Sequence, residues 1–210
     1  MVCRNRYHCP MEASGAYVIA GGKSMRMGRD KAFLELGGRT LLRNAMAFAR
    51  AVSSEVKIVG DPLKFGEFGA VVEDIYAERG PLGGIHAALV ESRNELNLML
   101  GVDLPFLEIG FLQWMISAAN LSPALVTVPR VDGYYQPLVA VYRKGFSVPA
   151  AKALAENRNK VDALFSHISV RVVNEEEMVR HGFSSAMFRN VNTPEDWNLA
   201  REEFSRRQDV

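Results

Sequence analysis

The sequence predicts an α/β fold of three layers, with helices on both faces of a mostly parallel sheet. Short apolar runs alternate with helical patterns along almost the whole chain. Glycine and proline turns punctuate the runs, and no repeat or low-complexity tract interrupts them. The 210 residues suit one domain better than two.

The elements follow in order. Ala16-Tyr17-Val18-Ile19-Ala20 is an apolar run stopped by Gly21-Gly22, as expected of a strand buried on both faces. Thr40 is placed to cap a helix over Leu41–Val52, whose apolar positions 41, 42, 45, 46, 48, 49 and 52 make a broad stripe. Val56–Val59 and Ala70–Val72 read as strands, and a helix is predicted after Gly84, over Ile85–Ser92. Leu96–Val102 is another buried strand, and Pro105 breaks the chain ahead of a helix near Glu108–Ala119. Ala124–Val128 is strand-like and Gln136–Tyr142 is rich in β-formers. Helical patterns cover Phe146–Ala155 and Val161–Ser166, and Val170–Val173 is a last strand. Thr193-Pro194-Glu195-Asp196 opens a final helix, with Thr as cap, Pro in the first position and acids in the first turn.

Composition narrows the partners. With 48% hydrophobic residues the chain is too apolar for disorder. Lys and Arg number 25 against 24 Asp and Glu, so no surplus positive charge exists to hold a nucleic-acid backbone. No apolar run reaches the ~18 residues of a membrane span. Met1–Pro10 is basic but lacks the apolar stretch of a secretory signal. The two cysteines, Cys3 and Cys9, form no disulfide framework, which points to the cytoplasm. Cys3, His8 and Cys9 lack a fourth metal ligand, so residues 1–14 are expected to be a disordered leader before a domain spanning 15–210.

The most informative segment is Ala20-Gly21-Gly22-Lys23-Ser24-Met25-Arg26-Met27-Gly28-Arg29-Asp30-Lys31. It follows the first strand directly, at the sheet edge where open α/β folds bind ligands. Its glycines allow backbone amides to turn inward as an anion nest, and Arg26 and Lys31 add positive charge. These parts suit a triphosphate. The spacing excludes a P-loop, because five residues separate Gly22 from Gly28 and Arg29-Asp30-Lys31 follows. Adjacent Gly21 and Gly22 likewise exclude the dinucleotide fingerprint G-x-G-x-x-G.

Val72-Glu73-Asp74 and Val102-Asp103 each place a carboxylate just past a buried strand, on the same edge. Mg²⁺ takes one or two carboxylates together with substrate phosphates, which makes Asp103 the metal candidate. Turn or cap duty is the competing account, and it weighs more heavily on Asp74. Arg79-Gly80-Pro81-Leu82-Gly83-Gly84 opens a helix, and its glycines and amides suit close approach to a flat base.

Taken together, these segments resemble the molybdenum cofactor guanylyltransferases, the MobA-type nucleotidyltransferases. The pattern L-A-G-G-x-S-x-R-M-G-x-D-K is matched by Ile19–Lys31, with Ile19 in place of Leu. The resemblance continues through Glu73-Asp74, Gly80-Pro81-Leu82-Gly83-Gly84 and Val102-Asp103-Leu104-Pro105, and ends at Asn190-Val191-Asn192-Thr193-Pro194. It implies a Rossmann-like nucleotidyltransferase fold and transfer of GMP from GTP to molybdopterin with release of pyrophosphate. It further implies that Ile19, Ala20, Gly21 and Gly22 hold the nucleotide and that Arg26 and Lys31 neutralise its phosphates. Asp74, Pro81, Leu82 and Gly83 would complete the GTP site, Asp103 would bind Mg²⁺, and Asn190 and Asn192 would contact the pterin. Downstream molybdoenzymes or their chaperones would be further partners.

Two other functions compete. A cytidylyltransferase or another NTP-dependent nucleotidyltransferase would use the same scaffold, although Ala20-Gly21-Gly22 favours guanine over the A-A-G of cytidylyl relatives. A non-catalytic nucleotide-binding module would not need Arg26, Lys31 and Asp103 together.

Overall fold

The computed structural model describes residues 14–21, 30–76 and 78–208. The sheet is built from β1 (Gly15–Ile19), β4 (Glu55–Val59), β5 (Val71–Val72), β6 (Leu96–Gly101), β7 (Val126–Val131), β8 (Tyr134–Tyr135), β9 (Val139–Arg143) and β10 (Val170–Asn174). Its order is β10-β7-β9-β6-β1-β4-β5, with β8 paired to β7. β1 lies at the centre, parallel to β4 on one side and β6 on the other. β9 runs antiparallel between β6 and β7, so the sheet is mixed but mostly parallel. A separate hairpin pairs β2 (Glu35–Leu36) with β3 (Arg39–Thr40).

The period of two along β1 divides the core. Ala16 and Val18 face a cluster with α1 (Leu41–Val52) and α4 (Ile109–Asn120), supplied by Leu42, Met46, Phe111 and Met115. Tyr17 and Ile19 face the opposite cluster, built with α3 (Gly80–Glu91) and α5 (Ser147–Ala155). These are the two outer layers the alternation predicts. α1 carries the expected cap, the side chain of Thr40 accepting from Arg43 N at 3.2 Å.

A third, smaller cluster joins the segment ahead of α1 to the last helix. Leu36, Leu41 and Phe106 are buried with Val191 and Ala200, and Trp197 and Phe204 of α7 (Pro194–Gln208) pack on them. Gly37, at φ 63°, lies directly beneath the Phe204 ring, so close that a Cβ there would overlap it. The short helices α2 (Pro62–Phe65) and α6 (Glu175–Arg180) complete the set.

Several boundaries differ from the sequence expectation. α3 starts at Gly80, not at Ile85. Val161–Ser166 is not an α-helix; a 3₁₀ segment spans Asp162–His167. The β-rich stretch becomes a strand only from Val139, after a turn in which Gln136 N donates to Pro129 O. α2, α6 and the β2–β3 hairpin have no counterpart in the sequence pattern. Among the described residues, no helix is long and apolar enough to cross a membrane.

Candidate active site

Parallel pairing sets the ends of β1, β4, β5 and β6 side by side, and the candidate residues stand just beyond them. Ala20 N and Gly21 N both donate to Val59 O, at 3.0 and 3.2 Å. An anion nest at this loop therefore draws nothing from these two amides. Gly22 and Arg26 lie outside the described residues, as do Cys3, His8 and Cys9.

Where the chain is described again, Asp30 accepts from Ala32 N at 2.9 Å and caps a 3₁₀ turn over Lys31–Phe33. Lys64 of α2 pairs with the same Asp30 carboxylate while standing over the rings of Phe33 and Phe65. This fixes the backbone at Lys31. Its Nζ donates to Asn192 Oδ1 at 2.5 Å and lies 3.9 Å from Asp103 Oδ2. Three segments distant in sequence thus meet at one ammonium group: the exit of the glycine loop, the end of β6, and the residue two before α7. The sequence marks each of them separately, and the structure brings them together.

Asp103 is partly buried in the turn after β6. Burial pushes its carboxyl above the usual range, partly offset by the charge of Lys31. A buried carboxylate short of positive charge fits a cation. No cluster of three acidic, His or Cys side chains forms among the described residues, so a metal here would take substrate oxygens besides Asp103.

Asp74 sits just past β5, in a slot left by two missing side chains. A Cβ on Gly21 would lie 3.4 Å from its Oδ2, and one on Gly84 would lie 3.5 Å from its Oδ1. Oδ1 is buried without a hydrogen-bond partner, and burial raises the carboxyl's pKa. Such an acceptor is suited to N–H or O–H donors of a ligand.

Pro81, Leu82 and Gly83 form the first turn of α3, and no side chain caps this turn. Pro81 is exposed, whereas Leu82 is in the core. Gly84 allows the helix to press on the sheet: its Cβ would stand 3.3 Å from Ile19 Cγ2 and 3.4 Å from Val59 Cγ1. The sequence predicts that these glycines admit a flat base; for Gly84, packing is itself a sufficient reason. His86, on the same helix, is buried edge-on to Tyr76 with Nδ1 unpartnered.

Asn190 lines a cavity of about 470 Å³ with Tyr134, Gln136, Ser184, Ser185 and Arg189. Asn192, two residues on, is tied to Lys31. Asp30 supports the site without a role expected of it from sequence, and Asp196, expected only as a first-turn acid of the last helix, supports it too. Their signal is positional: an acid one residue before a lysine, and an acid three residues after a capping threonine.

A parallel-sheet edge carrying a held lysine, a metal-suited aspartate and a glycine turn defines a nucleotidyltransferase, whose chemistry requires placed charge rather than a protein nucleophile. Known proteins agree. Residues 16–187 match the MobA-like NTP transferase domain, and the chain belongs to that family. It is 35% identical over 193 residues to a probable molybdenum cofactor guanylyltransferase of Pelotomaculum thermopropionicum, covering 91% of this chain and 93% of that one. A counterpart from Carboxydothermus hydrogenoformans is 31% identical over 189 residues, covering 90% and 95%. The crystal structure of molybdopterin-guanine dinucleotide biosynthesis protein A from Archaeoglobus fulgidus superposes with a TM-score of 0.82 at 22% identity, covering 91% of this chain and 99% of that one. That structural likeness supports the fold.

Proposed function

We propose that the protein transfers GMP from GTP to molybdopterin, forming molybdopterin guanine dinucleotide and releasing pyrophosphate, in the cytoplasm. The observation that carries this reading is the meeting of Lys31, Asp103 and Asn192 at the end of β6, in a family whose relatives bear that activity in their names.

In this reaction an oxygen of the molybdopterin phosphate attacks the α-phosphorus of GTP. The bond from that phosphorus to the bridging oxygen breaks, and pyrophosphate leaves with the electron pair. Both reactants are anionic, so the barrier falls chiefly by neutralising and aligning them. Lys31 holds the phosphates from one side, and Arg26 of the glycine loop adds a second cation. Ile19, Ala20, Gly21 and Gly22 contact the nucleotide. Asp103 holds Mg²⁺, which when bound supplies positive charge to the phosphate oxygens.

Asp74 accepts from the N–H donors of guanine or from the ribose, and the uncapped first turn of α3, Pro81 to Gly83, closes that side. Asn190, with Gln136 and Ser185 in the 470 Å³ cavity, presents donors and acceptors to the pterin. Asn192 bridges the pterin side and the triphosphate side.

The test is pyrophosphate release with Mg²⁺ and molybdopterin, comparing GTP with CTP. Release with GTP alone is expected. Release with CTP alone would make the protein a cytidylyltransferase, and tight GTP binding without turnover would make it a binding module.

A further inference from the structure

The last helix reaches back to the phosphate-holding lysine through one carboxylate. Thr193 Oγ1 accepts from Asp196 N at 3.1 Å, and Asp196 Oδ2 accepts from Thr193 N at 2.9 Å. Those two bonds complete a reciprocal helix cap. Asp196 Oδ2 makes one more, accepting from the backbone N of Asn192 at 3.0 Å, a residue outside the helix and outside the cap.

Asn192 is the residue whose side chain receives Lys31 Nζ at 2.5 Å. Its other neighbour is fixed as well: Val191 N donates to Asp103 O at 2.9 Å, and Val191 is buried against Leu36, Leu41 and Phe106. The peptide carrying Asn192 is therefore held from both sides, by Asp103 on one and Asp196 on the other. The helix end does not need the third bond. The lysine does, because a long flexible side chain is aimed only as well as its acceptor is fixed.

We propose that Asp196 is a positioning residue for the triphosphate: it fixes the backbone of Asn192, and Asn192 fixes Lys31 opposite Asp103. This rests on Lys31 being a phosphate ligand, as proposed above. A lysine held in place before the ligand arrives spares the ordering that binding would otherwise impose. Asp196 is chemically suited to hold Asn192. The amide of Asn192 is the first of several groups that keep its carboxyl below the usual range, so it stays ionised. An ionised acceptor makes the stronger hydrogen bond.

Calorimetric titration with inorganic tripolyphosphate isolates this effect, since the probe has neither base nor pterin. D196A and N192A should each bind it about tenfold more weakly, a typical size for coupled neighbours. The D196A/N192A double variant should bind no more weakly than N192A alone. K31A should lose most of the binding. Thermal unfolding serves as control: loss of a cap at a solvent-facing helix end lowers the midpoint in both backgrounds without unfolding the chain.

Wild-type affinity in D196A, or losses that multiply in the double variant, would reduce Asp196 to a cap and overturn the proposal. Wild-type affinity in K31A would remove Lys31 from the phosphate site and the proposal with it. If the coupling holds while the wild type transfers no guanylyl group, only the assigned reaction falls.

Discussion

Lys31 and Asp103 face each other at 3.9 Å, beyond hydrogen-bond reach, because the ammonium group is drawn instead to the neutral amide of Asn192. A direct, charge-assisted bond would occupy a donor of the one and an acceptor of the other. Without that bond, the ammonium and the carboxyl stand side by side on one ledge of the sheet, where a phosphate and a metal would meet them.

Asp103→Asn should fold normally and lose at least ~10² to 10³ in guanylyl transfer, the usual effect of removing one aligned stabilising group. The neutral amide is isosteric and relieves a carboxyl that burial already disfavours. Initial rates across a Mg²⁺ series are the measurement; wild-type turnover at low Mg²⁺ would free Asp103 of the metal.

Gly84→Val should destabilise the fold by about 1–3 kcal/mol, the ordinary cost of overpacking. Its side chain would push on Ile19, Val59 and Asp74 together, three groups already within 3.5 Å of the first added carbon. Nucleotide binding should weaken in the same variant, because Asp74 is displaced. Denaturant melts and nucleotide titration report the two effects separately.

Arg143→Met tests how the edge of α4 is held. The guanidinium donates to Ala119 O in the last turn of that helix at 3.2 Å, to Ser122 O just beyond it at 2.8 Å, and to Glu95 at 3.3 Å. Methionine keeps the stem and removes the guanidinium donor from both carbonyls, while Ala119 O keeps its bond from Ser122 N at 3.2 Å. A loss of about 1–3 kcal/mol is expected, read as a fall in melting temperature with catalysis at saturating substrate unchanged.

Acid stability should depend on His86. Burial lowers its pKa in the folded state, with no partner for Nδ1. The unfolded chain therefore binds the proton more readily, and the stability this residue contributes is present above pH ~6.5 and lost as pH falls through the lower folded value. His86→Leu should flatten that part of the profile. An unchanged acid limb in urea melts from pH 7 to 5 would assign it to other groups.

Much of the fold is legible in the sequence because its signals are local. β1 and β6 are apolar runs buried on both faces, and Thr40 caps α1 as its position suggests. The start of α3 is harder to place because Gly80-Pro81-Leu82-Gly83-Gly84 has the composition of a loop. Burial of Leu82 and the tight seat of Gly84 on the sheet outweigh that propensity. α6 is hidden because Glu175-Glu176-Glu177 shows no apolar period; its cap from Asn174 is the available clue. The reversed direction of β9 has no local signature. Nor does the bond from Lys31 to Asn192, which spans 161 positions and exists only through the folded sheet.

The small cluster uniting Leu36 and Leu41 with Val191 and Ala200 has a consequence for how the protein comes into being on the ribosome. The glycine loop and Lys31 emerge early, whereas Asn192 lies 161 positions later, with α7 beyond it. Until then the lysine lacks its Asn192 acceptor and the hairpin at Gly37 has no Phe204 to cover it. Capacity to grip a triphosphate should therefore arrive abruptly, once the segment from Asn192 through Phe204 has been made, and a product cut short before Asn192 should not compete for the nucleotide.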